Sequence, residues 1–159
     1  MSNEIDLNRR KALKAGSGMG LLALFGGLSL LRSTEALAEW NKAAFSSKAM
    51  DEALTSLGVT TTESNAAIQL TVPEIAENGS VVPVTVSSSL ANVEQISILV
   101  DKNPSVLAAS FTFPQGTEAL VTTRVKMGQT ANVVAIVKAD GKFYRAAKEV
   151  KVTAGGCGG

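Results

Sequence analysis

An antiparallel β-sandwich of about seven strands is the fold class that residues 68–152 predict, and three observations point to it. Apolar residues alternate at a period of two, as Val82, Val84 and Val86 do in one segment and Ile96, Ile98 and Val100 in the next. Turn signals separate the segments: Asn78-Gly79, Asn103-Pro104, Pro114-Gln115-Gly116, Gly128-Gln129 and Asp140-Gly141. Aromatic residues are few, with five Phe, one Tyr and one Trp in a chain that is 45% hydrophobic, so the core must be built from Val, Ile, Leu and Ala. Side chains branched at Cβ fill half-buried pleated surfaces well. Strands are placed at 68–72, 81–88, 93–101, 106–113, 119–127, 131–139 and 142–152. No helical pattern lies between them, which excludes a βαβ architecture, and turns every 8–12 residues indicate the immunoglobulin-like type of sandwich. Asp140-Gly141 is the clearest two-residue hairpin, because both residues tolerate positive φ.

The first 38 residues read as an address. A polar start leads to Arg9-Arg10, followed by an uncharged run from Ala15 to Leu31 and a small-x-small pattern at Ala36-Leu37-Ala38. Paired arginines before a mildly apolar stretch resemble a twin-arginine export signal, although Asn8 and Ala12 replace residues usual in that motif. Seventeen residues with five glycines fall short of the roughly 20 apolar residues that a bilayer span needs, so no stable membrane anchor is expected. The expected location is the periplasm, with a folded part beginning near Glu39. Residues 41–57 read as one short amphipathic helix, with Phe45, Ala49, Ala53 and Leu57 on one stripe, Asn41 as N-cap and Gly58 past its end. Helix and sandwich together occupy 39–153.

Composition removes several function classes. The chain has no histidine and one cysteine, so imidazole general bases are excluded and zinc, haem and iron–sulfur sites lose nearly all their usual ligands. No cofactor and no metal site are expected. Asp51-Glu52, the only adjacent acidic pair, lies in the helical pattern and reads as a solvated face. Beyond residue 38 the chain holds 10 basic and 11 acidic residues with no basic stripe, so no nucleic acid is expected as partner.

The single cysteine is Cys157, within Ala154-Gly155-Gly156-Cys157-Gly158-Gly159. Glycine offers nothing to pack and loses much conformational freedom on ordering, so residues 154–159 are expected to form a flexible arm. The five residues from Val152 to Cys157 would span about 16–18 Å when extended. Neither Lys nor Arg adjoins the thiol, and only a few per cent of an unperturbed thiol is thiolate at neutral pH. An accessible, unassisted sulfur suits an attachment point whose chemistry is performed elsewhere. In an oxidising compartment it also suits a structural module that forms covalent dimers through an intermolecular Cys157 disulfide, or a terminus without chemistry. A thiol oxidoreductase would ordinarily use a C-x-x-C pair, which is missing.

The twin-arginine-like start, the helix, the small β-domain and "GGCGG" at 155–159 together resemble the SoxY family, the sulfur-carrier subunits of the bacterial Sox thiosulfate-oxidising system. Ser47-Lys48-Ala49-Met50-Asp51-Glu52-Ala53-Leu54, "PEIAENGSVVPV" at 73–84 and "KNP…FTFP" at 102–114 share in the likeness, with Val106 where a second proline is frequent. The resemblance implies a non-catalytic carrier that pairs with a SoxZ-like β-sandwich as a heterodimer. It further implies that Cys157 holds thiosulfate-derived intermediates, with Gly155, Gly156, Gly158 and Gly159 as a swinging arm. Docking partners would be haem-containing SoxXA, the sulfate-releasing hydrolase SoxB and a sulfur dehydrogenase.

Overall fold

Alternation becomes strand wherever one face of the chain can be buried. In a computed structural model, which describes residues 40–154, the strands are β1 (Ile68–Thr71), β2 (Ile75–Ala76), β3 (Val82–Ser88), β4 (Val93–Val100), β5 (Leu107–Thr112), β6 (Leu120–Val125), β7 (Ala131–Ala139) and β8 (Lys142–Val152). Two sheets form, β1-β3-β6 and β2-β8-β7-β4-β5. Seven of the eight strands are those that the alternation predicts. The eighth, β2, is two residues long and cannot display a period. It also departs from the antiparallel expectation, because it pairs with β8 in parallel, Ile75 opposite Lys151 and Ala76 opposite Val152. The first strand of the sandwich is thus divided, β1 lying in one sheet and β2 in the other.

Facing side chains of the two sheets make the main core. Val82, Val84, Val86, Ile96, Ile98, Val100, Val133, Ala135, Val137 and Val150 are all fully buried there. Pro83 is tolerated within β3 because β1 pairs only with residues 85–88, so no neighbour on that side calls for its missing N–H. Strands β4 and β7 are buried on both faces. Leu99, Val134 and Ile136 point away from the sandwich interior and form a second cluster with Val106, Leu107, Ala44 and Ala53. The runs "ISILV" and "VVAIV" are therefore nearly continuous in apolar character, as central strands covered on both sides are.

Residues 40–58 supply that cover. One helix was expected over 41–57; two form, α1 (Lys42–Ser46) and α2 (Met50–Ser56). The helix breaks because Ser47 turns its carbonyl to the sheet. Ser47 and Ala49 are extended (ψ 134° and 148°), and the Ser47 carbonyl accepts from the Val106 amide at 3.1 Å. The Ser47 hydroxyl donates back to the Ala43 carbonyl at 2.9 Å, and the Ser105 hydroxyl donates to the Phe45 carbonyl. Bonds from residues 105 and 106, just before β5, thus take up carbonyls of Ser47 and Phe45 at the point where the helix breaks. The break also resets the helical phase, so Ala44 rather than Phe45 is the fully buried residue of α1. Asn41 caps as expected, its Oδ1 accepting from Ala44 N at 3.0 Å, while its Nδ2 donates to the Ser56 carbonyl at 2.6 Å and ties the two helices together. Gly58 follows α2 with φ +76°, a conformation that costs a non-glycine residue energy. Asp51 and Glu52 are exposed in the first turn of α2, as expected of a solvated face.

Asp140 and Gly141 both have positive φ (48° and 72°), the pattern of a type I′ hairpin turn between β7 and β8. Around this turn Asn92 Nδ2 donates to Asp140 Oδ1, the Gly141 amide donates to Glu94 Oε1 at 2.9 Å, and Lys138 Nζ lies 2.6 Å from Glu94 Oε2. The Lys138 contact, and then the Gly141 amide, hold the Glu94 carboxyl below the usual carboxylate range. A carboxyl with a lowered folded-state pKa stabilises the fold above its unfolded value, and the contribution disappears as pH falls through the folded one. Glu94→Gln should therefore lower the melting temperature slightly at neutral pH, and the gap from wild type should close on titration below the carboxylate range. Leu99→Ala, which empties the contact between sheet and helices, should cost about 2–5 kcal/mol in urea denaturation.

Candidate functional site

The predicted attachment residue Cys157, the arm glycines Gly155, Gly156, Gly158 and Gly159, and the export residues Arg9 and Arg10 lie outside the described residues. What the structure places is the chain up to Ala154, three residues before Cys157. Strand β8 runs for eleven residues and ends at Val152. Beyond it the chain stays anchored: the Thr153 amide donates to the Ala76 carbonyl at 3.1 Å, and the Ala154 carbonyl accepts from the Gly79 amide at 2.8 Å. The Thr153 hydroxyl reaches the Glu77 carbonyl at 3.4 Å, and the Lys151 amide donates to the Glu74 carbonyl at 2.9 Å. On the other side the Val152 amide donates to Thr130 Oγ1 at 3.0 Å.

Residues 74–79 thus run beside the end of β8 as a clamp. Gly79 joins three segments, because its amide holds Ala154 while its carbonyl accepts from the Met127 amide at 2.6 Å. Asn78-Gly79-Ser80, read from sequence as a turn, is one: Asn78 Oδ1 accepts from the Ser80 amide at 2.9 Å. Neighbouring loops are stitched as well. Asn103 Nδ2 donates to the Lys126 carbonyl at 2.6 Å, and Asn103 Oδ1 accepts from the Gly128 amide at 3.3 Å. These bonds cross-link one end of the sandwich.

Counted from Val152 the span to Cys157 is five residues. Counted from Ala154, the last residue held by hydrogen bonds among the described ones, it is three, and three residues extend no further than about 10–11 Å. Sequence reasoning missed the clamp because most of its bonds join backbone to backbone, and the two threonine hydroxyls that add to them, Thr153 and Thr130, form no pattern along the chain. The one available signal was the turn chemistry of Asn78-Gly79.

Among the described residues no group of three acidic or cysteine side chains could hold a metal ion, and every buried side-chain polar atom has a hydrogen-bond partner. No helix among them is long and apolar enough to cross a membrane. A surface depression of about 420 Å³, lined in part by Ser88, Leu90, Asn92 and Gln115, lies between the β3–β4 and β5–β6 loops, at the end opposite the arm root.

The described residues form an immunoglobulin-like sandwich whose last strand is clamped at its exit, three residues before the chain's only thiol. The family model described as "Sulfur oxidation protein SoxY" matches residues 54–157, a span that includes Cys157. The chain belongs to the SoxY family, the sulfur carriers of the Sox system. A solved structure, the sulfur carrier protein SoxY from Chlorobium limicola f thiosulfatophilum, is 42% identical over 65% of this chain and 94% of that one, with a TM-score of 0.59. A superoxide reductase (neelaredoxin) from Ignicoccus hospitalis is 21% identical over 62% of this chain and 86% of that one, with a TM-score of 0.49, a likeness that carries no functional argument. None of the curated proteins matches.

The clamp is open to direct measurement. Thr153→Pro removes the donor to Ala76 and should raise hydrogen exchange at the Gly79 amide by at least about tenfold, while amides at the β7–β8 turn keep their wild-type rates.

Proposed function

We propose that this protein is a periplasmic carrier, exported through Arg9-Arg10, that holds thiosulfate-derived sulfur covalently on Cys157 and presents it to partner enzymes. The observation that carries the reading is the family match running through Cys157, three residues past a clamped root.

In the loading step the Cys157 thiol gives up its proton and a bond forms between its sulfur and the outer sulfur of thiosulfate. Two electrons leave, and a haem enzyme of the SoxXA kind is the acceptor. The product is a cysteine S-thiosulfonate. Hydrolysis by an enzyme of the SoxB kind adds water across the sulfur–sulfonate bond, releases sulfate and leaves a persulfide on Cys157. A sulfur dehydrogenase, in organisms that have one, would oxidise that sulfane sulfur further. The chain's own contribution is the nucleophilic sulfur and its delivery. Gly155, Gly156, Gly158 and Gly159 add no side chain to the arm, which keeps it thin enough to enter a narrow pocket. The thiol gains no help from a neighbouring cation, so the partner enzyme supplies activation. A SoxZ-like β-sandwich is the proposed stable partner, and a partner without its own signal would travel with this chain, since the twin-arginine route carries folded protein.

Intact-mass measurement on protein from thiosulfate-grown cells should show adducts on Cys157 that differ by sulfur atoms or sulfonate groups. Cys157→Ser should abolish them and leave the melting temperature unchanged. A preparation consisting only of bare thiol and reductant-sensitive homodimer would overturn the carrier reading in favour of a covalently dimerising module. Deletion of residues 1–38 should leave the protein, and any partner exported with it, in the cytoplasm on cell fractionation.

A further inference from the structure

If Cys157 carries the cargo, the clamp at Ala154 decides where the enzymes acting on it must come. An arm of five free residues could serve an active site held away from the domain. One of three residues, at most about 10–11 Å, could not, because a reaction pocket of ordinary depth consumes the whole length. The mouth of the enzyme must rest on the sandwich itself.

The surface it meets is the end formed by the 77–81 turn, the 101–105 loop and the 126–130 loop, held together by Gly79 and Asn103. Four large apolar side chains are exposed among the described residues, and two of them flank the arm root. Ile75, 59% exposed, stands opposite Lys151, three residues before Ala154. Val81, 49% exposed, lies two residues past Gly79, just before β3 of the other sheet. Of the remaining two, Trp40 stacks on Phe45 with ring centroids 5.1 Å apart, and Leu120 pairs with Ser87 at the opposite end of the sandwich. Charges near the root are of both signs, Glu74, Glu77, Lys102, Lys126 and Lys151, so no single-sign field selects the partner.

We propose that this end of the sandwich is the docking face for the enzymes that load and unload Cys157, with Ile75 and Val81 as its apolar anchors on either side of the arm. Its occupant is the apolar rim of an active-site mouth whose reacting group lies within about 10–11 Å of the enzyme surface. Both side chains are displayed by backbone that the clamp has already ordered, so seating them on the enzyme costs little further conformational entropy.

The test is the rate of thiosulfate-dependent adduct formation on the mature protein purified together with the stable β-sandwich partner proposed above. It uses the purified haem enzyme that joins thiosulfate to the thiol, and the products are read by intact mass. Ile75→Glu/Val81→Glu should lower kcat/KM by about tenfold or more, mainly through KM, while a small disulfide reagent still titrates Cys157 at the wild-type rate. Leu120→Glu, an equally drastic change at the far end, should stay within about twofold of wild type. Wild-type loading by the double variant, or an equal loss in Leu120→Glu, overturns the docking face while leaving the carrier reading intact. Failure of the wild-type protein to load under these conditions defeats the carrier reading, and the docking face falls with it.

Discussion

Nine residue pairs between β7 and β8, from Ala131 opposite Val150 to Ala139 opposite Lys142, set the frame on which the rest of the molecule depends. Their register is locked at the turn, where Asp140 and Gly141 both take positive φ and leave no freedom to slip. A slip of one residue would send Val133, Ala135 and Val137 to the wrong face. With the register held, Val152 and Ala154 fall beside residues 75–79, so the place where the chain leaves the sandwich is a consequence of a turn at the other end of the same hairpin.

The double burial of β4 and β7 follows from the same frame. One face of each meets the opposing sheet, and the other would expose Leu99, Val134 and Ile136 if residues 40–58 did not cover them. Cover comes from short, small elements. Ala44 and Ala53 let α1 and α2 lie close on the sheet, and the bond from Val106 to Ser47 closes the seam where they meet β5. The helical segment thereby completes the domain's own core.

Much of the fold was legible in the chain. Alternation at Val82-Val84-Val86 and Ile96-Ile98-Val100, with turn residues between, marks strands because each apolar side chain records the burial of its own position. The continuous runs in β4 and β7 record burial on both faces, yet do not say what covers the second. Asn41 and Gly58 correctly bound the helical region, because capping is a local event. The break at Ser47 was invisible because it answers Val106, a residue far along the chain just before β5, and β2 was invisible because two residues have no period. At the site, the type and place of the thiol could be read directly, whereas the clamp could not, being made mainly of main-chain bonds that many side chains would permit.

The sequence by itself determined the strand-rich class, the hairpin at Asp140-Gly141, and the chemistry available: one thiol, no histidine, and glycines on both sides of the sulfur. These are properties of single residues and their near neighbours. Only the tertiary structure decided that the helix divides, that it packs on its own domain, and that backbone bonds hold the chain to residues 74–79 as far as Ala154. Each of those outcomes depends on hydrogen bonds or contacts between segments far apart in the chain. Such bonds form only after side-chain burial has brought the segments together, and they need no distinctive residue to make them.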